Sequence, residues 1–142
     1  MTTVSQLLAQ KDNTLVAVHP EDNIYIALCR MADANIGSVV VMQNGKVVGI
    51  LTERGYARKV EVKGRTANTT RVHEIMETKV IYARPNQTVE ECLAVMIDRR
   101  LRHLPVLDGT RLVGMISIGD LGKSIVGDQK FEIDQLVRYI HG

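Results

Sequence analysis

The apolar and glycine positions of the chain follow the same order twice. Placing Pro20 on Pro85 aligns Val18–Gly55 with Ala83–Asp120 without a gap. Identical residues then meet at Leu28/Leu93, Met31/Met96, Val41/Val106, Val48/Val113 and Gly49/Gly114. A register that keeps apolar, small and glycine positions together indicates one structural unit present in two copies.

Each repeat predicts the same elements. A short helix leads into an apolar strand, a helix with apolar residues at i, i+4 and i+7, two strands, and a second helix. In the first repeat these are the helix Val4–Ala9, the strand Leu15–Val18, the helix from Ile24, the strands Ser38–Met42 and Val47–Leu51, and a helix after Thr52. In the second repeat they are Val72–Met76, Val80–Ala83, the helix from Val89, Leu104–Leu107, Leu112–Ile116, and a helix after Ser117. The repeating unit is therefore β-α-β-β-α.

Turn and cap residues mark the ends of these elements. Asn44-Gly45 and Asp108-Gly109 predict the hairpin turns, because glycine, Asn and Asp tolerate a positive φ. Thr88 and Glu91 predict a capping box at the start of the second repeat's helix. Upstream of the strands the register shifts, so the first repeat carries extra residues around Lys11.

The repeats define the organisation of the chain. We expect a first unit over residues 1–62, a polar linker over 63–70, a second unit over 71–127, and a helical tail over 128–142. The tail has Ile133, Leu136, Val137 and Ile140 at helical spacing, which predicts a short amphipathic helix that packs on the unit or on a second subunit.

Composition narrows the class of protein. A chain of 142 residues can bury roughly two-thirds of its unfolded surface. With 45% hydrophobic residues, 4% aromatics and no Trp, its core must be aliphatic. A formal net charge of +2 gives no reason to expect nucleic-acid or membrane-surface binding. Since Met1 begins no apolar leader and no stretch is long enough to span a membrane, we expect a cytoplasmic protein. Because the two repeats occupy almost the whole sequence, we expect no attached enzyme, channel or transporter.

The two cysteines and four histidines show no metal-binding pattern. Cys29 and Cys92 fall inside apolar helical patterns and have no CxxC or His-flanked spacing, so we interpret both as buried free thiols. His19, His73 and His141 likewise lack ligand spacing. We therefore expect no metal site.

Two segments of each repeat, one at the start of the second strand and one at the end of the third, resemble those of a CBS-domain pair, or Bateman module. They are Arg102–Val106 and Gly114–Asp120 in the second repeat, and Gly37–Val41 and Gly49–Gly55 in the first. The resemblance extends over about Met1–Gly127. It implies an α/β (α+β) fold in which two pseudo-twofold-related units pack through their sheets, with a short C-terminal helix. It also implies two clefts between the units, occupied by AMP, ADP, ATP, NAD or S-adenosylmethionine.

The resemblance also assigns ligand-binding residues, one position at a time. For the second cleft they are Met76, Lys79, Ile81, Leu101, Arg102, His103, Ser117, Gly119 and Asp120. For the first cleft they are Thr14, Val16, Ile36, Gly37, Ser38, Thr52 and Arg54. We expect phosphate recognition to be shared between the two halves, with Arg102 and His103 from one and Arg54 and Arg58 from the other. The first cleft departs from the family pattern, because Gly55 stands where the ribose-binding Asp is expected. We therefore expect the two clefts to be unequal.

The residues after the third strand suit a nucleotide. The Asp120 carboxylate can accept hydrogen bonds from both hydroxyls of a ribose, and the helix N-terminus beside Ser117 favours phosphate. Arg102 and His103 can reach the same anion, while Ile81 and Leu101 offer apolar walls for a purine. Alternatively, Ser117 is only a helix N-cap and Asp120 only a partner of the helix dipole.

Catalysis is not expected. The sequence contains no set of nucleophile, base and orienting residue, no phosphate-binding glycine loop, and no carboxylate cluster for a metal. We expect a homodimeric, non-catalytic sensor of adenine nucleotides, with AMP as the favoured ligand, that signals to another protein. Two alternatives stay open: an interaction module whose clefts are structural and empty, or a weak nucleotide phosphohydrolase.

Overall fold

The computed structural model describes residues 1–11 and 15–141, with side chains up to residue 139. The elements in chain order are α1 Val4–Ala9, β1 Ala17–Val18, α2 Ile24–Ala34, β2 Ser38–Gln43, β3 Lys46–Thr52, α3 Glu53–Tyr56, α4 Val72–Ile75, α5 Val89–Arg99, β4 His103–Asp108, β5 Arg111–Ser117 and α6 Ile118–His141. After α3 the chain continues as a π-helical turn over Ala57–Glu61. This mixed α/β content, with two small sheets, confirms the predicted fold class.

The chain divides into two compact units that exchange their leading helices. The first-repeat unit comprises Thr14–Ile81 and Gly109–Leu112. The second-repeat unit comprises Met1–Asn13, Tyr82–Asp108 and Val113–Gly142. Helix α1, which precedes the first repeat in the chain, therefore belongs to the second-repeat unit, and α4 belongs to the first-repeat unit.

The first-repeat sheet has the strand order β1-β2-β3. Strand β1 runs parallel to β2, and β2 runs antiparallel to β3 with Ser38 opposite Thr52. The hairpin turn has φ of 54° at Asn44 and 76° at Gly45, which confirms the predicted turn. One face of this sheet packs with α2 and α4 around a core of aliphatic side chains that includes Ile24, Met31, Val39, Val41, Leu51 and Ile75.

The second-repeat sheet pairs β4 with β5, and Ala83 forms a parallel bridge to Val106 where the first repeat has β1. Its hairpin differs from the prediction. Asp108 is the last residue of β4, and of the two predicted turn residues only Gly109 has a positive φ, at 64°. The turn therefore starts one residue later than predicted, with Gly109 at the repeat position that Asn44 holds in the first repeat.

The long helices are capped by side chains. The amide of Ile26 donates to Asn23 Oδ1 at 2.9 Å at the start of α2, and the amide of Glu91 donates to Thr88 Oγ1 at 3.1 Å at the start of α5. The predicted capping box at Thr88 is only half formed. The Glu91 carboxylate accepts from the Thr88 hydroxyl at 3.2 Å instead of from its amide.

A glycine in each third strand lets the leading helix approach the sheet closely. A Cβ at Gly49 would lie 2.7 Å from Met76 Sδ and 3.0 Å from Glu77 O, and one at Gly114 would lie 2.8 Å from Leu8 Cδ2. The segment after α4 is held against β3 next to Gly49, because Ile50 and Glu77 exchange backbone hydrogen bonds of 2.9 and 2.8 Å. Both glycines therefore serve the close packing of the leading helix segment on the sheet.

Helix α6 runs without a break from Ile118 to His141, so the predicted tail helix forms its C-terminal part. Phe131, Ile133, Leu136, Val137 and Tyr139 are all exposed on it, from 48% to 87%. Across residues 1–11 and 15–141, no helix has the length and apolar character that crossing a membrane requires.

The two cysteines differ in environment. Cys92 is 1% exposed, and burial raises the pKa of its thiol to about 11, so the thiol is protonated at neutral pH. Cys29 is only half-buried, which corrects the expectation that both thiols are buried. Both are free, as expected.

Gly49→Ala should destabilise the first-repeat unit by about 1–3 kcal/mol, because the added methyl group meets a sulfur atom and a hydrogen-bonded backbone carbonyl. Thermal or urea unfolding measures this loss. Gly122→Ala is the matched control, since a Cβ there meets nothing within 4 Å, and in a helix it should stabilise by up to about 1 kcal/mol. Equal effects of the two substitutions would contradict the proposed close approach.

Candidate functional site

The candidate site in the second-repeat unit is built where β5 ends and α6 begins. The Asp120 amide donates to Ser117 Oγ at 3.0 Å, and the Ser117 amide donates to Asp120 Oδ2 at 2.9 Å. Two amides that a helix start leaves without an intrahelical partner are thereby satisfied. The predicted alternative role of these residues, as a cap and a first-turn carboxylate, is thus present in the fold.

Lys11 supplies a third contact to this site. Its Nζ donates to Asp120 Oδ2 at 2.8 Å and to the backbone oxygen of Met115 at 2.7 Å. The side chains of Lys11 and Asp120 are 28% and 25% exposed. Lys11 was not among the predicted site residues. The only sequence signal for it is that the first repeat carries extra residues here that the second repeat lacks.

The Asp120 carboxyl is held in its ionised form. Burial acts to raise its pKa, but the hydrogen bonds from Lys11 and the Ser117 amide, with the Lys11 charge, outweigh burial and lower the pKa below its usual value. At neutral pH the site therefore presents a partly buried carboxylate beside a cation at a helix N-terminus.

The first-repeat unit has the same backbone arrangement with a different side-chain set. Thr52 caps α3 by accepting from the Gly55 amide at 2.9 Å. The amide of Glu53 donates to Gly37 O at 3.0 Å, as the amide of Ile118 donates to Arg102 O at 2.9 Å in the second-repeat unit. Gly55 adds no carboxylate, so this site lacks the charged group that Asp120 provides.

Ser38 adds an unusual feature to the first-repeat unit. The residue is 1% exposed, and among the described residues its Oγ finds no hydrogen-bond partner. Leaving a buried hydroxyl unsatisfied costs about 1–3 kcal/mol. Because Ser38 lies opposite Thr52 across β2 and β3, its hydroxyl is placed at the strand end where the sequence predicts a ligand.

The remaining predicted site residues of the second-repeat unit lie around the start of β4 and in the first turn of α6. Arg102 is exposed directly before β4, His103 is the half-buried first residue of β4, and Leu101 is half-buried. Gly119 lies exposed in the first turn of α6. The hydrogen bond from Ile118 to Arg102 O joins the start of β4 to the start of α6.

Other predicted residues belong to the first-repeat unit. Met76 packs beside Gly49, while Lys79 is exposed and Ile81 half-buried after α4, so the set predicted for the second cleft is divided between the two units. Val16 and Ile36 pack against the first-repeat core. Arg54 and Arg58 are exposed on α3 and the π-helical turn, and Thr14 lies outside the described residues.

Comparison with known proteins places these repeats in a family. The family model of the CBS domain matches residues 6–61 and 72–127. A solved CBS-domain protein from Burkholderia ambifaria MC40-6 is 48% identical with a TM-score of 0.86, covering 90% of this chain and 96% of that one. The mitochondrial CBS domain-containing protein CBSX3 of Arabidopsis thaliana is 35% identical over 99% of this chain and 73% of its own. Since this relative is mitochondrial, the cytoplasmic location of the present chain stays a prediction.

A more distant solved structure shares the fold. The CBS domain pair of protein MJ0100, in complex with 5′-methylthioadenosine and S-adenosyl-L-methionine, is 24% identical with a TM-score of 0.80 over 90% of this chain and 98% of that one. The family matches fall on both copies of the β-α-β-β-α unit that the sequence predicts. The chain therefore belongs to the CBS domain family, as a protein with two CBS domains.

Proposed function

We propose that the chain is a non-catalytic sensor of adenine nucleotides, with AMP as its favoured ligand and ADP, ATP or NAD as further candidates. The observation that carries the proposal is the ionised, partly buried Asp120 carboxylate at the N-terminus of α6. Such a carboxylate accepts hydrogen bonds from vicinal hydroxyls, and the helix start favours a phosphate. A ribose phosphate combines both groups in one molecule.

Each part of AMP has a chemical counterpart in the second-repeat unit. Asp120 accepts from the ribose hydroxyls, Arg102 and His103 bind the phosphate, and Leu101 lies against the adenine. Protein MJ0100 binds adenosine compounds, so this fold can accommodate an adenosine. For the present chain the proposal rests on its own residues.

The first-repeat unit offers a second, weaker site. The Ser38 hydroxyl provides a polar group that a ligand would satisfy, and Arg54 and Arg58 are exposed cations for phosphate. Without a carboxylate at Gly55, this site favours a ligand held by its phosphates over one held by its ribose. Binding at the two sites would shift the protein's conformational populations and so report the nucleotide level to a partner protein.

Titration calorimetry with AMP should show unequal sites, and Asp120→Asn should weaken the tighter one by about tenfold to a hundredfold, because a hydrogen bond to a charged group contributes about 1.5–3 kcal/mol. Asn keeps an oxygen to accept from the Ser117 amide, so the helix cap is preserved. Asp98→Asn, at a carboxylate with an 81% exposed side chain, is the control. Two equal sites in the wild type, or unchanged binding by Asp120→Asn, would contradict the proposed ribose contact.

Ser38→Ala should weaken ligand binding in the first-repeat unit by about tenfold while leaving the free energy of unfolding unchanged or slightly higher. The reason is that the substitution removes a buried hydroxyl without a partner. Calorimetry and chemical unfolding of the same sample measure both effects, with the exposed Ser5→Ala as control. A loss of stability with unchanged binding would show that the hydroxyl serves the fold instead.

A thermal-shift screen separates the sensor from the interaction-module alternative. A nucleotide at 100 times its dissociation constant should stabilise the protein by about 2.7 kcal/mol. The absence of any shift with AMP, ADP, ATP and NAD would favour a module with structural, empty sites. Recovery of these nucleotides unchanged after incubation would argue against a phosphohydrolase.

We further propose that the chain forms a homodimer through the apolar face at the end of α6. Its exposed side chains do not pack on the rest of the described chain, which favours a second subunit as their partner. Sedimentation at micromolar concentration should therefore show a species of twice the 15.8 kDa chain mass. Ile133→Lys with Val137→Lys should convert it to monomer, whereas the control Val62→Lys, at a position 76% exposed outside α6, should not. A wild-type monomer would contradict the proposal.

A further inference from the structure

Lys11 contacts Oδ2, one of the two Asp120 carboxylate oxygens that the proposed function offers to a ribose. An ammonium group has three N–H donors, and two of them are directed at Asp120 Oδ2 and at the backbone oxygen of Met115. The pair is partly buried, with the Lys11 side chain 28% exposed. A helix positions each member of the pair, since Lys11 comes just after α1 and Asp120 lies in the first turn of α6.

A neutral nucleoside therefore meets a competitor. A ribose whose two hydroxyls engage both carboxylate oxygens must either share Oδ2 with the ammonium or displace it, and a displaced cation in a partly buried place loses its paired charge. A nucleoside alone brings no replacement anion, so its binding has to overcome the Lys11 contact. A nucleotide brings a phosphate, and the flexible four-carbon stem of lysine can carry the ammonium to that new anion.

We propose that Lys11 is a specificity-determining residue, which holds the Asp120 carboxylate in the free protein and passes to the ligand's phosphate when a nucleotide binds. The inference rests on the proposed function and deepens it. The site would discriminate against adenosine and in favour of AMP through an exchange of one ion pair for another.

The first-repeat unit contains a similar lysine–carboxylate contact in which the two charged residues have exchanged places relative to the leading helix. Lys59 Nζ donates to Glu77 Oε1 at 2.7 Å and to the backbone oxygen of Ile75 at 3.1 Å. Here the carboxylate, not the lysine, follows the leading helix. Glu77 is not at the position of the ribose-binding Asp, so Lys59 has the same bonding pattern without the proposed competition. It provides an internal control for the loss of one lysine.

The test compares AMP and adenosine on Lys11→Met by titration calorimetry at the tighter site. Methionine keeps the length of the apolar stem and removes the charge. Adenosine should bind about two- to tenfold more tightly to the variant, because it no longer competes with the ammonium. AMP should not gain in the same way, because the variant also loses the contact between Lys11 and the phosphate. Lys59→Met should change neither affinity at that site.

Changes of the same sign and size for both ligands would overturn the inference, because Lys11 would then only support the fold or the Asp120 charge. Such a result would leave the proposed function intact, since AMP binding at the Asp120 site by the wild type is measured separately. Carbon NMR titration of the Asp120 carboxyl gives a readout without ligand. Its pKa should rise in Lys11→Met, and an unchanged pKa would show that the pair is absent in solution and overturn the inference.

Discussion

The close approach of each leading helix to a glycine in the sheet is the contact on which the arrangement depends. Leu8 of α1 lies over Gly114 in β5, and Met76 after α4 lies over Gly49 in β3. Helix α1 packs on β5, and β5 leads directly into α6. Lys11, just after α1, therefore reaches Asp120 in the first turn of α6. The contact between Lys11 and Asp120 thus depends on the packing of one apolar side chain, Leu8, against a residue that has no Cβ, Gly114.

The start of α6 combines a structural role and a proposed binding role in one side chain. Asp120 completes the helix cap through Oδ2, so its position is fixed before any ligand binds. A fixed carboxylate loses little conformational freedom on binding, which favours affinity. The cap and the Lys11 contact also keep it ionised despite partial burial. The helix cap was the alternative explanation for Asp120 without a ligand. Under the proposed function, the same cap holds the carboxylate in place for the ribose.

Much of the fold could be predicted from the sequence, because it is written in local patterns. The strands and helices follow apolar periodicity, and the paired glycines mark the places of close packing. The exchange of α1 and α4 between the units could not be predicted, since it depends on contacts between residues far apart in the chain, such as Leu8 and Gly114. Lys11 could not be assigned to the site for the same reason, because its partner Asp120 lies far from it in the chain. The half-formed cap at Thr88 shows that a local pattern does not decide which of two groups a side chain bonds to. The half-buried Cys29 shows that an apolar helical pattern does not decide how deeply each of its residues is buried.

The two repeats keep their packing residues and differ in their polar ones. Gly49 and Gly114 are the same residue in the same contact, whereas Gly55 replaces Asp120, Ser38 stands where the second repeat has His103, and the lysine contact has its polarity reversed. Close packing tolerates few alternatives, because a Cβ at either glycine meets atoms already in place. The polar positions lie at strand ends and helix starts, where a side chain can change without moving the core. One fold can therefore carry two different sets of polar side chains at these strand ends and helix starts.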